Sequence, residues 1–579
     1  MKKIRTVALK TPFESDENAW DIYPRPQMVR DSYLSLCGGW ELFRRKYKEK
    51  EDSFIGKIKV PFPPESRLSD IEQTIEAGDS FTYKKTFSVS SDFLNEKTLL
   101  HFGAVDQTTS VWLNQELLGS HTGGYLPFSF DITEHIRVGE NTLTVKVWDP
   151  LDPEVPYGKQ RKKRGGMWYT PISGIWQNVW LESVPTNAIR SLRLIPTLQD
   201  ITIEIEGGED EKHLSIETPY GIIEHTFTGG KMTASIEKPI LWTPENPHLY
   251  PFTLTSGKDT VRSYFALRTI GTIHTNGKNV LALNGKPYFF HGLLDQGYFS
   301  DGIYLPASPE GFRFDIRTAK ELGFNMLRKH IKIEPEIFYY ECDKQGMVVF
   351  QDMVNSGHYS FLLDTALPTI GLKKGITHFA SKSRRKLFES ACEETLTHLY
   401  NHPCVCCYTI FNEGWGQYDA DRIYEKLKKQ DPSRIFDSTS GWFEKQKSDV
   451  KSEHVYFKKI DLKPSKKPLF LSEFGGYSYK ISEHSFNLDR NYGYRFFSDQ
   501  NDFMEALEKL YLEEIIPMIS RGLCATVLTQ LSDVEDETNG LLTYDRQILK
   551  TDSNRMEAIS KKLFSAFENR ANCNMENKQ

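Results

Sequence analysis

Two glutamates of this chain stand where a strand would hand a carboxylate out of a core. Glu413 ends the apolar run "CVCCYTIFNE" (404–413), with Asn412 beside it, and Glu473 stands in "LFLSEFGG" (469–476). A glycine follows each within two residues. Two convergent carboxyls suit cleavage of a glycosidic bond: one gives its proton to the leaving oxygen, and the other stabilises or attacks the anomeric carbon. Close placement pushes their pKa values apart, because two nearby anions are costly. Arg328 is suited to keep Glu473 ionised, which leaves the proton to Glu413. Once Glu473 is consumed in a glycosyl ester, Glu413 can deprotonate the incoming water. Taken singly, a strand-end glutamate is a solvated charge or a salt-bridge partner, and that reading stays open for each. No "GxSxG" elbow and no "HExxH" helix competes.

Such a pair needs a scaffold that gathers strand ends far apart in sequence. From 276 to 579, strand-like runs alternate with helical ones. The runs are "YFFHGLLD", "FNMLRKH", "GMVVFQDM", "CVCCYTIFNE", "RIFDSTSGW", "SEHVYF", "LFLSEFGG" and "CATVLTQLSD". Eight such units are the pattern and size of a (β/α)₈ TIM barrel, whose chemistry sits at the carboxyl ends of its strands. An open doubly wound sheet is the alternative, but no Gly-rich phosphate loop follows the first run. The polar residues closing these runs are therefore the site candidates. They are Asp295, Arg328, His330, Asp352, Asn412, Glu413, Trp442, His454, Tyr456, Glu473, Gln530 and Asp533. Trp442 suits a sugar platform or the edge of a core, and His454 and Tyr456 have structural roles equally open to them. Helices between the strands have the expected period, with Phe388, Cys392, Leu396 and Leu399 on one face and Met556, Ile559, Leu563 and Phe567 on another.

Ahead of the barrel the chain reads as β. Residues 1–185 alternate apolar and polar positions, as in "NTLTVKVWD" (141–149), and suit a jelly-roll β-sandwich. Residues 186–275 suggest a second, smaller sandwich of immunoglobulin-like size, with a hairpin around Gly257-Lys258. Asn284-Gly285 signals one last hairpin turn before the barrel.

Composition narrows the class. The 579 residues carry a formal net charge of −6, which argues against a nucleic-acid partner. No apolar run approaches the ~18 residues of a membrane span. The first residues lack the apolar core and cleavage site of a secretory signal, so a cytoplasmic location is expected. Eight cysteines in this length make no disulfide framework, and Cys404, Cys406 and Cys407 read as buried thiols rather than metal ligands. No metal or other cofactor is expected. The basic cluster "KQRKKR" (159–164) is the exception to the charge balance, either a solvated loop or a contact for an acidic substrate.

"YTIFNEGWGQ" and "FLSEFGG" resemble the acid/base and nucleophile motifs of glycoside hydrolase family 2, the family of β-galactosidases, β-glucuronidases and β-mannosidases. "YPRPQMVRDSYLSLCGGWEL", "GGYLPFSFDIT", "SGIWQNVWLE" and "LNGKPYFFHG" are similar to its other marker segments, in its order. The resemblance implies a jelly-roll sugar-binding domain, an immunoglobulin-like domain and a catalytic barrel. It implies retaining double displacement, with Glu413 as acid/base, Glu473 as nucleophile, Asn412 on the sugar 2-hydroxyl and Tyr456 on the nucleophile. Arg328, His330, His454, Trp442, Asp295 and Gln530 become substrate-binding candidates. Departures fall where the sugar is read. Gly166 stands where metal-dependent galactosidases carry Asp, the Arg-x-x-His spacing shortens to Arg328-Lys329-His330, and Gln530 replaces a frequent tryptophan. "VEDETNGLLTYDR" lacks the Asn-x-Lys pair of glucuronidases. The resulting expectation is an exo-β-glycosidase acting on small oligosaccharides or glycosides, β-galactosidase-like, with β-glucuronidase, β-mannosidase or another specificity of the family as alternatives. Transfer to a sugar hydroxyl, a non-catalytic carbohydrate-binding protein and a homo-oligomer stay open.

Overall fold

A computed structural model describes residues 5–16, 19–74, 76, 78–369, 380–443 and 446–572. The alternating N-terminal segments form two antiparallel sheets, one of four strands and one of six. Leu143, Val145 and Val147 of Gly139–Trp148 are fully buried between them, with Trp40, Leu42, Phe81 and Tyr83 from neighbouring strands. A three-stranded and a four-stranded sheet follow, closed over Ile201, Ile203, Leu214, Ile216 and Phe252. Tyr250–Ser256 and Asp259–Phe265 pair as the expected hairpin, with Ser256 opposite Asp259. Asn284 and Gly285 both take positive φ (53° and 74°), the left-handed pair that a tight hairpin turn demands.

The barrel strands are β1 Phe290–Asp295, β2 Met326–Lys329, β3 Val348–Asp352, β4 Val405–Asn412, β5 Ile435–Ser440, β6 Lys451–Val455, β7 Leu469–Gly475 and β8 Leu523–Thr529. All pairings are parallel, in the order β5-β4-β3-β2-β1-β8-β7-β6. The remaining seam, β5 to β6, is bridged by the Asp449 amide donating to the Phe436 carbonyl at 2.9 Å and by Ser452 Oγ on Asp437 at 2.9 Å. Helices Lys382–Leu399 and Ser553–Asn572 lay the predicted apolar faces onto this core. Burial on both faces explains why these strands read as continuous apolar runs rather than alternating ones. Among the described residues seven cysteines are free thiols, and no helix is long and apolar enough to cross a membrane.

The basic loop does not simply extend into solvent. Arg164 pairs with Glu535 at 3.2 Å, the Thr170 amide donates to Glu535 at 2.8 Å, and the Tyr169 hydroxyl donates to Glu537. These contacts tie the jelly-roll segment 159–170 to the loop after β8, across the carboxyl end of the barrel.

Candidate active site

The site begins with the way β4 ends. Glu413 takes a left-handed backbone (φ 53°), and its amide donates to the Ser440 carbonyl of β5 at 2.9 Å. Gly414 follows at φ 73°, where a Cβ would meet the Phe443 ring at 2.2 Å. This turn swings the Glu413 carboxyl off the strand and over the barrel mouth. Gly441 serves the next strand in the same way: a Cβ there would lie 2.7 Å from the His454 ring.

On β7 a register shift sets His454 opposite Glu473. Glu473 Oε1 accepts from Arg328 Nη1 at 3.1 Å, and Oε2 accepts from the Tyr456 hydroxyl at 2.5 Å. Tyr456 also meets Thr529 Oγ1 at 2.9 Å, so the phenol bridges the ends of β6 and β8. Carboxylate oxygens of Glu413 and Glu473 and a ring nitrogen of His454 all lie within 4.8 Å of one another. Among the described residues this is also the one cluster of such donors close enough to hold a cation.

Arg328 organises the group. It is fully buried, and its guanidinium donates to Asp352 Oδ1 at 2.9 Å, Asn412 Oδ1 at 2.8 Å, the Ser472 carbonyl at 3.0 Å and Glu473. Because arginine can only donate, Asn412 must present its oxygen to Arg328, which leaves the Nδ2 amide free for a ligand. The same rule fixes His454. Its Nε2 faces Arg328 Nη1 at 3.5 Å and Ser440 Oγ at 3.0 Å, so Nε2 accepts and Nδ1 carries the proton. Nδ1–H then donates to Glu413 Oε1 at 2.9 Å, with Glu473 Oε2 at 3.5 Å.

The electrostatics separate the members. Burial pushes the Glu413 carboxyl above its ordinary range, and the charges of Lys159, His330 and Arg328 oppose that only in part. Burial lowers His454 to about 3, so its imidazole is neutral. Burial raises the Asp352 carboxyl too, but Arg328 and His330 outweigh it and hold it below the usual range. His330 Nδ1 meets Asp352 Oδ2 at 2.7 Å, so the shortened Arg-Lys-His spacing still delivers His330 to the same network.

Three candidates have other partners. Trp442 donates from Nε1 to the Asp364 carbonyl at 3.0 Å and sets its ring edge-on to His454 at 5.4 Å. Asp295 Oδ2 pairs with Lys329 at 2.6 Å, and its Oδ1 accepts from the Gly297 amide at 2.9 Å, so it hydrogen-bonds to neither glutamate. Gln530 is fully buried and accepts from Gln296 at 2.9 Å. Sequence reasoning did not assign Glu537, whose Oε1 accepts from Asn539 at 3.0 Å, or single out Lys159 within the basic cluster. Lys159 is 8% exposed, yet its charge acts on Glu413, His330 and Glu537.

Parallel strands carrying two carboxyls at one barrel mouth define a class of two-carboxylate barrel proteins, and sequence comparison gives the family. The sugar-binding-domain model of glycosyl hydrolases family 2 matches residues 47–185, a second model of the family matches 194–268, and its TIM-barrel model matches 275–474. The chain belongs to glycosyl hydrolase family 2. It is 24% identical over 437 residues to a β-galactosidase of Thermoanaerobacter pseudethanolicus, covering 70% of this chain and 55% of that one. It spans about a third to a half of the length of the first curated relatives it matches. Its fold is shared with a β-D-glucuronidase of Dictyoglomus thermophilum (TM-score 0.73, 18% identity, 94% of this chain and 98% of that). A β-galacturonidase of Eisenbergiella tayi is similar as well (TM-score 0.66, 18% identity, 95% and 98%).

Proposed function

We propose that this chain is a retaining exo-β-glycosidase, β-galactosidase-like, working by double displacement with Glu473 as nucleophile and Glu413 as acid/base. The observation that carries it is the carboxylate separation, under 4.8 Å between the nearest oxygens. Retaining enzymes hold their carboxyls roughly 5–5.5 Å apart, and inverting ones leave room for a water at roughly 6.5–9.5 Å. Glu473 accepts hydrogen bonds on both oxygens, as an attacking carboxylate should. Glu413 accepts from His454 on Oε1, so its proton belongs on Oε2, free to pass to the leaving oxygen. As the glycosyl ester forms, the leaving group takes that proton, and the resulting Glu413 carboxylate draws one from water in the second step. Asn412 Nδ2 is offered to the sugar 2-hydroxyl, His330 and Trp442 to its remaining edge, and Tyr456 holds Glu473 in line. Asp295 and Gln530 support the strand ends.

A second reading, an acidic glycone, is favoured by Lys159 and by Arg161, whose guanidinium lies 4.0 Å over the Trp168 ring at the cavity wall. Among the described residues the buried Lys159 ammonium has no carboxylate within salt-bridge distance, and such a charge gains most from an anionic ligand. The test is turnover of p-nitrophenyl β-galactoside, β-glucuronide, β-galacturonide, β-mannoside, β-glucoside and α-arabinoside, with Glu473→Gln as control. One dominant neutral glycone, silent in the control, supports the first reading, and a dominant uronide supports the second. Binding of a sugar without cleavage of any would favour a carbohydrate-binding protein.

A further inference from the structure

The cavity that opens from Glu413 changes chemistry as it leaves the reacting pair. Its volume is about 830 Å³, and Glu413, Trp442, His454 and Tyr456 belong to its wall. So do Phe361 and Phe457, each 66% exposed, and the cavity therefore runs from buried carboxyls out to solvent. The rings along it are joined. Tyr456 stacks on Tyr494 at 4.0 Å and 17°, Phe457 meets Tyr494 at 5.0 Å, and Trp168 meets Tyr359 at 5.1 Å.

Among the described residues of this wall, Glu413 is the only carboxyl or amide side chain. A sugar brings a donor and an acceptor at every hydroxyl, and each needs a partner once water is excluded. Asn412, His330, Lys159 and Glu537 stand outside the wall, whose other polar side chains are the cations Arg161 and Lys458, His454 and the tyrosine hydroxyls. Glu413, as the proton donor, faces the glycosidic oxygen, so the glycone lies toward the polar group and the leaving group toward the aromatic one.

We propose that the outer part of this cavity, around Tyr359, Phe361, Phe457 and Tyr494, is a leaving-group site built for an aromatic aglycone, which makes aryl glycosides, rather than oligosaccharides, the substrate class. The inference rests on the glycosidase reading given above and extends it from the sugar to what the sugar is attached to. The same site must then accept aryl alcohols in reverse. The alcohol oxygen bonds to the anomeric carbon while the bond to Glu473 breaks and its electron pair returns to that carboxylate. Glu413 takes the hydroxyl proton.

Capture of the glycosyl-enzyme tests this without the bias of leaving-group acidity. The full chain would turn over its preferred p-nitrophenyl glycoside with equal concentrations of 2-phenylethanol, ethanol or glucose, and the transfer products would be quantified by chromatography. Burying a phenyl ring predicts capture by 2-phenylethanol about 10-fold or more above either competitor. Phe457→Ala and, independently, Phe361→Ala should each shrink that preference severalfold. Equal capture of the three, or preference for glucose, overturns the aromatic site while leaving the glycosidase reading intact. Absence of turnover on every glycone overturns that reading, and this one with it.

Discussion

Glu413 and Glu473 are the same residue type, and their partners set them apart. Glu473 faces Arg328 and a phenol, while Glu413 faces a neutral imidazole in a buried setting that raises its pKa. Glu473→Gln should lower turnover roughly 10⁴-fold or more. Glu413→Ala should cost about 10²- to 10⁴-fold on poor leaving groups, spare very good ones, and regain rate with azide. A folding defect would not give that split. With Glu413 as the proposed acid, its protonated form is the active one, so kcat/KM should fall as pH rises through its raised pKa. Glu413→Gln should lose that alkaline limb. His454, lowered to about 3, contributes no limb of its own near neutral pH. Both glutamates were legible in sequence because each follows an apolar strand at a point where a core has no use for a charge. Lys159 was not. "KQRKKR" reads as solvated, and its first lysine is buried only because residues hundreds of positions away, Glu535 and Glu537, pin the neighbouring segment across the barrel.

At the scale of elements, Arg328 ties the carboxyl ends of β2, β3, β4 and β7 through Asp352, Asn412, Ser472 and Glu473. Arg328→Met would leave two buried carboxylates without their cation, a loss of about 3–5 kcal/mol in stability that a thermal melt reads directly. Arg328→Lys should rescue only part of it, since an ammonium cannot reproduce the four-way fork. Tyr456→Phe removes a hydrogen bond to a charged oxygen and should lower kcat/KM about 10- to 100-fold. The strands themselves were readable from their apolar runs, as was the hairpin turn at Asn284-Gly285. Partners such as Asp352 for His330, or Lys329 for Asp295, depend on which way each side chain faces at the mouth. One residue of β2 spacing does not reveal that.

Across the whole molecule, the chain brings a polar network and an aromatic-walled cavity together at Glu413, with a jelly-roll segment tied across the barrel mouth. The wall on which the aryl-glycoside proposal rests is assembled from 161–168, 359–368, 442, 454–458 and 492–494, and so has no contiguous sequence signature. The jelly roll carries a pH signature of its own. Burial raises the Asp149 carboxyl to about 7, against an ordinary value near 3.8. A folded-state pKa raised in this way gives stability that is complete below the ordinary value and is lost as pH rises through 7. The loss is about 1.4 kcal/mol per pH unit in between. Asp149→Asn should therefore melt progressively above the unmodified protein as pH rises from 5 to about 7, with the gap levelling off beyond that. No change in that difference would show the carboxyl to be ionised throughout.

The most direct test of the central claim is to trap the intermediate. A 2-deoxy-2-fluoro glycoside of the preferred sugar, with an activated leaving group, should inactivate the enzyme and add one glycosyl mass to the peptide that contains Glu473. Label on Glu413 or elsewhere, or release of the inverted anomer with no trapped ester, would contradict the account.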